Sequence, residues 1–300
     1  MAKPNQPEPA ANSEESFDPT VRMSFFDHLA ELRVRILHSL LAVTAGFALG
    51  FYWAQPAFEF LAQPMIEALR AGGMQDSLVY TSPLGPLRLL LSVSLYLGVL
   101  IALPVVFYQV WLFVAPGLYR NERRATLGFL FSSVALFLTG TVFGYRVMLP
   151  LTLKFLISFE GPFRPMISIN DYFDLILLVL LGLGAVFQLP ILIFFLSLFG
   201  IVTPAFLWRN FRYAVLIIAV LSALITPTTD VFTMSVFMAP MIVLYLLGIG
   251  VSWVVVRRKK TARGEEVADL RPVAAVGALA LVGTLVWAAN HYGWWGLLAR

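Results

Sequence analysis

Long apolar runs constrain this chain more than any other feature of its sequence. A helix needs roughly 20 apolar residues to cross a hydrocarbon core of about 30 Å. Six runs are long enough or nearly so: 36–54, 89–115, 125–149, 174–199, 213–226 and 231–256. The fifth is short, so it can cross only where the bilayer is thin or where the helix packs among neighbours. Only 13% of the residues are charged, against about 25% in soluble proteins, so we predict an all-α, polytopic membrane protein.

The two ends of the chain differ from this membrane part. The first 22 residues are acidic and proline-containing and have no apolar core like that of a signal peptide, which predicts a disordered tail. A seventh apolar run, 273–289, lacks a polar face, so we expect it to span as an extra seventh helix; the alternative is a helix on the membrane surface. The predicted domains are a tail at 1–22, a six-helix membrane domain at 23–258, a polar cytoplasmic linker at 259–272, and the extra helix with a short tail at 273–300.

Basic residues predict how the chain lies in the membrane. With the N-terminus in the cytoplasm and the spans alternating, 15 of the lysines and arginines fall on the cytoplasmic side and 6 on the outer side. Cytoplasmic loops carry the excess of basic residues in membrane proteins. We therefore expect the N-terminus inside.

The residue inventory argues against an enzyme. There are no cysteines, only three histidines, and no HExxH, GxSxG or phosphate-loop motif, so we expect no metal, no cofactor and no nucleic-acid partner. An intramembrane hydrolase would need a buried histidine beside a serine such as Ser132, Ser133 or Ser197. A secondary transporter or channel for small solutes would need several intramembrane charges or broken helices around a central site, and the chain offers Gln188 in the fourth run and no internal repeat.

A polar face precedes the first span in the stretch SFFDHLAELRVR. Ser24 followed by Asp27 resembles a capping box that opens a helix. At 100° per residue, His28, Glu31 and Arg35 share a face with Asp27, and Glu31 and Arg35 form an (i, i+4) pair in the favourable order. The alternative interpretation is a solvated first turn with basic anchors.

Three further polar residues stand out. Glu122 lies among Arg120, Arg123 and Arg124 after the Pro-Gly turn of FVAPGLYRNERR, and alternatively is an ordinary ion-pair partner. Gln188 lies at mid-membrane, two residues before Pro190, where a polar side chain is costly and indicates a functional position. The alternative is that it hydrogen-bonds a neighbouring helix or a carbonyl freed by the proline. Asp230 precedes the sixth run, where a carboxylate also suits a helix start.

Three segments together resemble one family. HLAELRVR before the first span, LPVVFYQVWLFVAPGLYRNERR at the end of the second, and ITPTTDVF after the fifth resemble the TatC subunit of the twin-arginine protein translocase, over roughly residues 23 to 258. The resemblance implies a six-helix, glove-like receptor in the bacterial cytoplasmic (inner) membrane. It would bind the paired-arginine signal peptides of folded proteins, and would work with the single-span partners TatA and TatB under the proton-motive force, as a homo-oligomer within a larger complex.

The resemblance also implies roles for particular residues. Glu31 and Glu122 match the carboxylates that recognise arginine, and Asp230 matches a functional outer-loop position. The neighbouring positions that shape the signal-peptide surface are Arg33, Arg35, Phe113, Pro116, Tyr119 and Arg123. A carboxylate can take a guanidinium through two parallel hydrogen bonds, whereas lysine is a point charge, so such a site prefers arginine.

The sequence departs from the family pattern at several positions. Gln188 stands where many members have a glutamate, so it keeps the hydrogen-bonding ability and lacks the proton. Met234 stands where the family often has glutamine. Near the start of the second span, Gly85 and Ser92 replace an acidic and a basic residue.

Overall fold

Helices make up nearly all of the part of the chain that the structure describes. The computed structural model describes residues 25–71, 78–114, 126–158, 167–226 and 230–263. Within these ranges the helices are α1 (Phe25–Tyr52), α2 (Ala54–Ala71), α3 (Gly85–Val114), α4 (Thr126–Phe143), α5 (Leu149–Ser158), α6 (Ile169–Val186), α7 (Leu189–Leu198), α8 (Pro204–Arg209), α9 (Phe211–Ile225) and α10 (Val231–Arg263). A π-helical turn, Gly144–Met148, joins α4 to α5.

Within the described ranges, five helical stretches are long and apolar enough to cross a membrane. They are His28–Tyr52, Gly85–Val114, Leu130–Ile157, Ile169–Leu198 and Thr233–Arg257. The short fifth run forms α9, whose 15 residues span about 22 Å at 1.5 Å per residue. The expected all-α, multi-span fold is confirmed, while the seventh run, 273–289, and the tail at 1–22 lie outside the described residues.

Close packing of α1 on α3 sets the position of the first helix. A Cβ atom at Gly46 would lie 2.4 Å from the carbonyl oxygen of Gly98, and one at Gly50 would lie 2.6 Å from that of Ser94. Glycine at these positions therefore lets the two backbones touch, which is the packing role that small residues four apart play in membranes. The α1–α3 register fixes which side chains meet at the two ends of these helices.

One end of the bundle, here called the cap end, is closed by α2. Its buried side chains Leu61, Met65 and Leu69 pack against residues of α3, α5 and α6. The Tyr172 hydroxyl donates a hydrogen bond to the Leu61 carbonyl (2.6 Å). Beside α2, Val79 forms a parallel β-bridge with Ser168. The opposite end, here called the rim end, contains the start of α1 and the end of α3.

The fourth span is interrupted, and α3 is held against its second half. Phe187 and Gln188 separate α6 from α7, and Pro190 lies in the first turn of α7, so the fourth span consists of two helices with a break between them. Near the rim end, the ring centroids of Trp111 and Phe195 lie 5.9 Å apart. This contact fixes the last turns of α3 against α7.

Candidate functional site

The first turns of α1 carry an ion pair. The Arg35 Nη2 atom donates a hydrogen bond to the Oε1 atom of Glu31 over 3.0 Å. The side chains are only 17% (Glu31) and 26% (Arg35) exposed, so solvent screens this pair less than a fully exposed one. The pair predicted from the (i, i+4) spacing is confirmed.

Two contacts with α3 hold this part of α1 in place. The Arg35 Nη1 atom donates to the Oε1 atom of Gln109 over 3.4 Å, between residues 74 apart in the chain. One turn further along α3, the ring of Phe113 stacks on that of His28, with centroids 4.3 Å apart and planes at 16°. The rim end thus brings together His28, Glu31, Arg35, Gln109 and Phe113, a set that we call the rim cluster.

The rim cluster leaves two polar atoms unsatisfied. Glu31 Oε2 and Arg35 Nε are buried and have no hydrogen-bond partner in the described part of the chain. A buried charged group without a partner costs free energy until a donor or acceptor reaches it. Glu31 therefore presents one oxygen that is already paired and a second that can accept a hydrogen bond from a cationic donor.

The remaining predicted rim residues divide into two groups. Arg33 is exposed, and lies two positions from both Glu31 and Arg35, on the opposite face of the helix. Pro116, Tyr119, Glu122 and Arg123 lie outside the described residues, so the approach of Glu122 to Glu31 stays a prediction. The described part of α3 ends at Val114, one residue beyond the Phe113 ring that contacts His28.

Gln188 makes a contact between helices. Its Nε2 atom donates to the carbonyl oxygen of Ser133 in α4 over 3.2 Å, at the break between α6 and α7. The Ser133 hydroxyl is itself buried without a partner among the described residues. This hydrogen bond is the structural role that the sequence left open for Gln188.

Asp230 caps the last helix. Its Oδ1 atom accepts a hydrogen bond from the backbone N–H of Thr233 over 2.7 Å. A side-chain oxygen at this position satisfies one of the free N–H groups of the first helical turn. The local role of Asp230 is therefore to start α10.

The buried polar residues of the described spans are uncharged. They are serine, threonine and asparagine side chains, and two of them pair directly: the Ser197 hydroxyl donates to that of Ser252 over 2.6 Å, joining α7 to α10. Within the described residues, no group of three or more histidine, aspartate or glutamate side chains could hold a metal ion.

Sequence reasoning missed Gln109 as a site residue. It is one amide in an apolar run, four residues before Phe113, and this spacing puts both on one face of α3. That spacing was the available signal. Its contact with Arg35 cannot be predicted from the sequence, because it depends on how α1 packs against α3.

Comparison with protein families gives one match. The model described as Sec-independent protein translocase protein (TatC) matches residues 27–240. This range includes all of the predicted site residues, from Glu31 to Asp230.

Curated relatives match over most of the chain. The TatC protein of Koribacter versatilis is 46% identical over 258 residues, which cover 86% of this chain and 95% of that protein. The TatC protein of Aquifex aeolicus is 34% identical, with 79% of this chain and 98% of that protein covered. The TatCy protein of Bacillus subtilis is 35% identical, with 83% and 96% covered.

A solved structure shares the fold. The crystal structure of a twin-arginine translocase receptor, TatC, superposes with a TM-score of 0.69 at 35% identity. It covers 77% of this chain and 100% of the crystallised chain. The same receptor in the detergent DDM gives a TM-score of 0.67.

Proposed function

The chain belongs to the TatC family of Sec-independent protein translocase proteins, and on that premise we propose that it binds the twin-arginine signal peptides of folded cargo. As a multi-pass translocase component it is a transport subunit and not an enzyme. In this proposal the rim end faces the cytoplasm of a bacterium, the cap end faces outward, and the proton-motive force drives export across the inner membrane.

The observation that carries the proposal is the Oε2 atom of Glu31, which is buried and has no hydrogen-bond partner among the described residues. A guanidinium that displaces the residues covering this atom would satisfy a buried carboxylate oxygen, and hydrogen bonds to charged groups are worth about 1.5–3 kcal/mol each. Arginine presents several N–H donors in a planar fork, while lysine presents one compact ammonium. The site is therefore suited to select arginine.

The second arginine of the signal requires a second acceptor. We assign this role to Glu122, which comes a short segment after α3 in the chain. The end of α3, at Phe113, lies beside the start of α1, and this proximity supports the assignment. Arg33, Pro116, Tyr119 and Arg123 would shape the surrounding surface. Arg35 competes with the ligand for Glu31, and this competition disfavours the binding of other cations.

The single-span partners need an apolar helix face. On α9, Leu216, Ile217, Val220 and Leu224 are all exposed, and their spacing puts them on one side of the helix. We propose that TatA- and TatB-type helices dock near this face and α10. Because α9 is short, the bilayer would thin around it. We also propose that several copies of the chain assemble in the complex.

Signal-peptide binding to the purified full-length protein in detergent tests the proposal. Wild-type protein should bind a twin-arginine peptide at least about tenfold more tightly than its twin-lysine version, and Glu31→Gln should remove most of that preference. Glu122→Gln should do the same if the second carboxylate acts as proposed. Glu59→Gln is the matched control, because Glu59 lies at the cap end and pairs with Gln55. Equal binding of both peptides by folded wild-type protein would overturn the proposal.

A further inference from the structure

We propose that Gln109 is a positioning residue that keeps one oxygen of Glu31 open for an incoming arginine. The inference rests on the proposed function, since it concerns how the same carboxylate is prepared for its ligand. It assigns a role in arginine selection to a residue of α3 that acts on Glu31 through Arg35, to which it is hydrogen-bonded.

The geometry of Arg35 is the first step. An arginine four residues after a glutamate on a helix can approach the carboxylate with two N–H groups, and the two-bond arrangement is the stronger one. Among the described residues, Arg35 contacts Glu31 through Nη2 alone, on Oε1. Its Nη1 atom points to Gln109 instead, and its Nε atom has no partner among the described residues.

The consequence for Glu31 is the second step. If Arg35 made both hydrogen bonds, both carboxylate oxygens of Glu31 would be occupied. An incoming guanidinium would then have to displace a two-bond arginine–carboxylate pair. With Nη1 held by Gln109, Oε2 stays buried and has no donor in the described part of the chain. By binding Nη1 of Arg35, Gln109 prevents a two-bond Glu31–Arg35 pair and leaves one oxygen of Glu31 open as an acceptor.

The placement of Gln109 is the third step. The α1–α3 backbones are in contact at Gly46 and Gly98, and the His28–Phe113 stack fixes the same two helices beyond the pair. Gln109 lies between these two contacts along α3. The backbone of α3 at Gln109 is therefore held against α1 on both sides, which keeps the amide beside Arg35.

Peptide binding in a double-mutant cycle tests this role. Gln109→Met keeps the length and apolar packing but removes the acceptor, so twin-arginine affinity should fall about tenfold. In an Arg35→Gln background the same substitution should change affinity less than about twofold, because no guanidinium remains to close on Glu31. Equal losses in both backgrounds, or no loss in either, would overturn the inference. Gln63→Met, in an exposed position of α2, is the matched control.

A second measurement does not depend on the peptide. The coupling between Glu31 and Arg35 can be obtained from the melting temperatures of Glu31→Gln, Arg35→Gln and the double variant in detergent. In the Gln109→Met background this coupling should increase by about 2 °C, since Arg35 gains a second bond to Glu31. An unchanged coupling would overturn the inference even if wild-type protein distinguished the two peptides. If wild-type protein did not distinguish the two peptides but the Glu31–Arg35 coupling increased in the Gln109→Met background, the result would instead overturn the proposed function alone.

Gln109→Glu separates positioning from general disturbance of α3. It retains an acceptor for Arg35, so the coupling between Glu31 and Arg35 should not rise and the preference for arginine over lysine should persist. Behaviour of Gln109→Glu identical to that of Gln109→Met would show that any change at this position disturbs the site, and would contradict the proposed role.

Discussion

His28 and Phe113 stack face to face at the rim end, with ring centroids 4.3 Å apart and an angle of 16° between the planes. The contact joins the first turn of α1 to the end of α3, 85 positions later in the chain. Glu31 follows His28 by almost one helical turn, so the stack fixes the carboxylate's position relative to α3.

Removing the stack should weaken the proposed site more than it weakens the fold. Phe113→Ala should lower twin-arginine peptide affinity several-fold, because the start of α1 loses its aromatic contact, worth about 0.5–1.5 kcal/mol beyond area burial. The control is Phe60→Ala, which removes the stack of Phe60 on Tyr145 (4.7 Å) outside the rim cluster. Similar peptide affinity in Phe113→Ala and wild type would contradict a role for the stack in binding.

The glycine contact between α1 and α3 should be intolerant of a methyl group. Gly46→Ala places a Cβ atom 2.4 Å from a backbone oxygen of Gly98, and overpacking of this kind costs about 1–3 kcal/mol. The expected result is a clearly lower melting temperature in detergent. Gly144→Ala is the comparison, since its Cβ atom would meet two leucine side-chain atoms at 3.2 Å and the nearest backbone atom, the Cα of Leu180, only at 3.7 Å. A larger loss in Gly144→Ala than in Gly46→Ala would contradict this reading of the packing.

The hydrogen bond of Gln188 should be stabilising to a small extent. Gln188→Leu removes the donor to the Ser133 carbonyl, and hydrogen bonds between membrane helices contribute about 0.6 kcal/mol on average. We expect a small drop in melting temperature, which Gln188→Glu should reproduce only in part, since a protonated glutamate can still donate. An unchanged melting temperature in Gln188→Leu would mean that this bond contributes nothing measurable.

Capping and charge can be separated at Asp230. Asp230→Ala should destabilise the protein by about 1 kcal/mol because it loses the bond to the Thr233 N–H, whereas asparagine caps helices about as well as aspartate. Asp230→Asn should therefore melt close to wild type. If Asp230→Asn is stable but fails to support cargo export in cells, the charge has a role beyond capping, as the family resemblance implies. Normal export would leave capping as its role.

Sequence reasoning located the spans well but misplaced some of their ends. The third span was expected to end at 149, yet the helical stretch continues to Ile157. Leu149 and Leu153 are fully buried in the core that includes α2 and α6. The fourth span was expected to begin at 174, but α6 begins at Ile169. In its second turn, Asp174 forms an ion pair with Arg88 of α3. In both cases tertiary contacts extend the helix beyond its apolar run.

The sequence alone determined the approximate position of the described spans, the family, and the Glu31–Arg35 pair. These features depend on contiguous residues, because the free energy of transfer into a bilayer adds along a run and an (i, i+4) contact is local. Only the tertiary structure decided that Arg35 divides its donors between Glu31 and Gln109, and that one oxygen of Glu31 has no partner within the described ranges. That outcome depends on the register in which α1 packs on α3 at Gly46 and Gly98, a contact between segments far apart in the chain that no local pattern encodes.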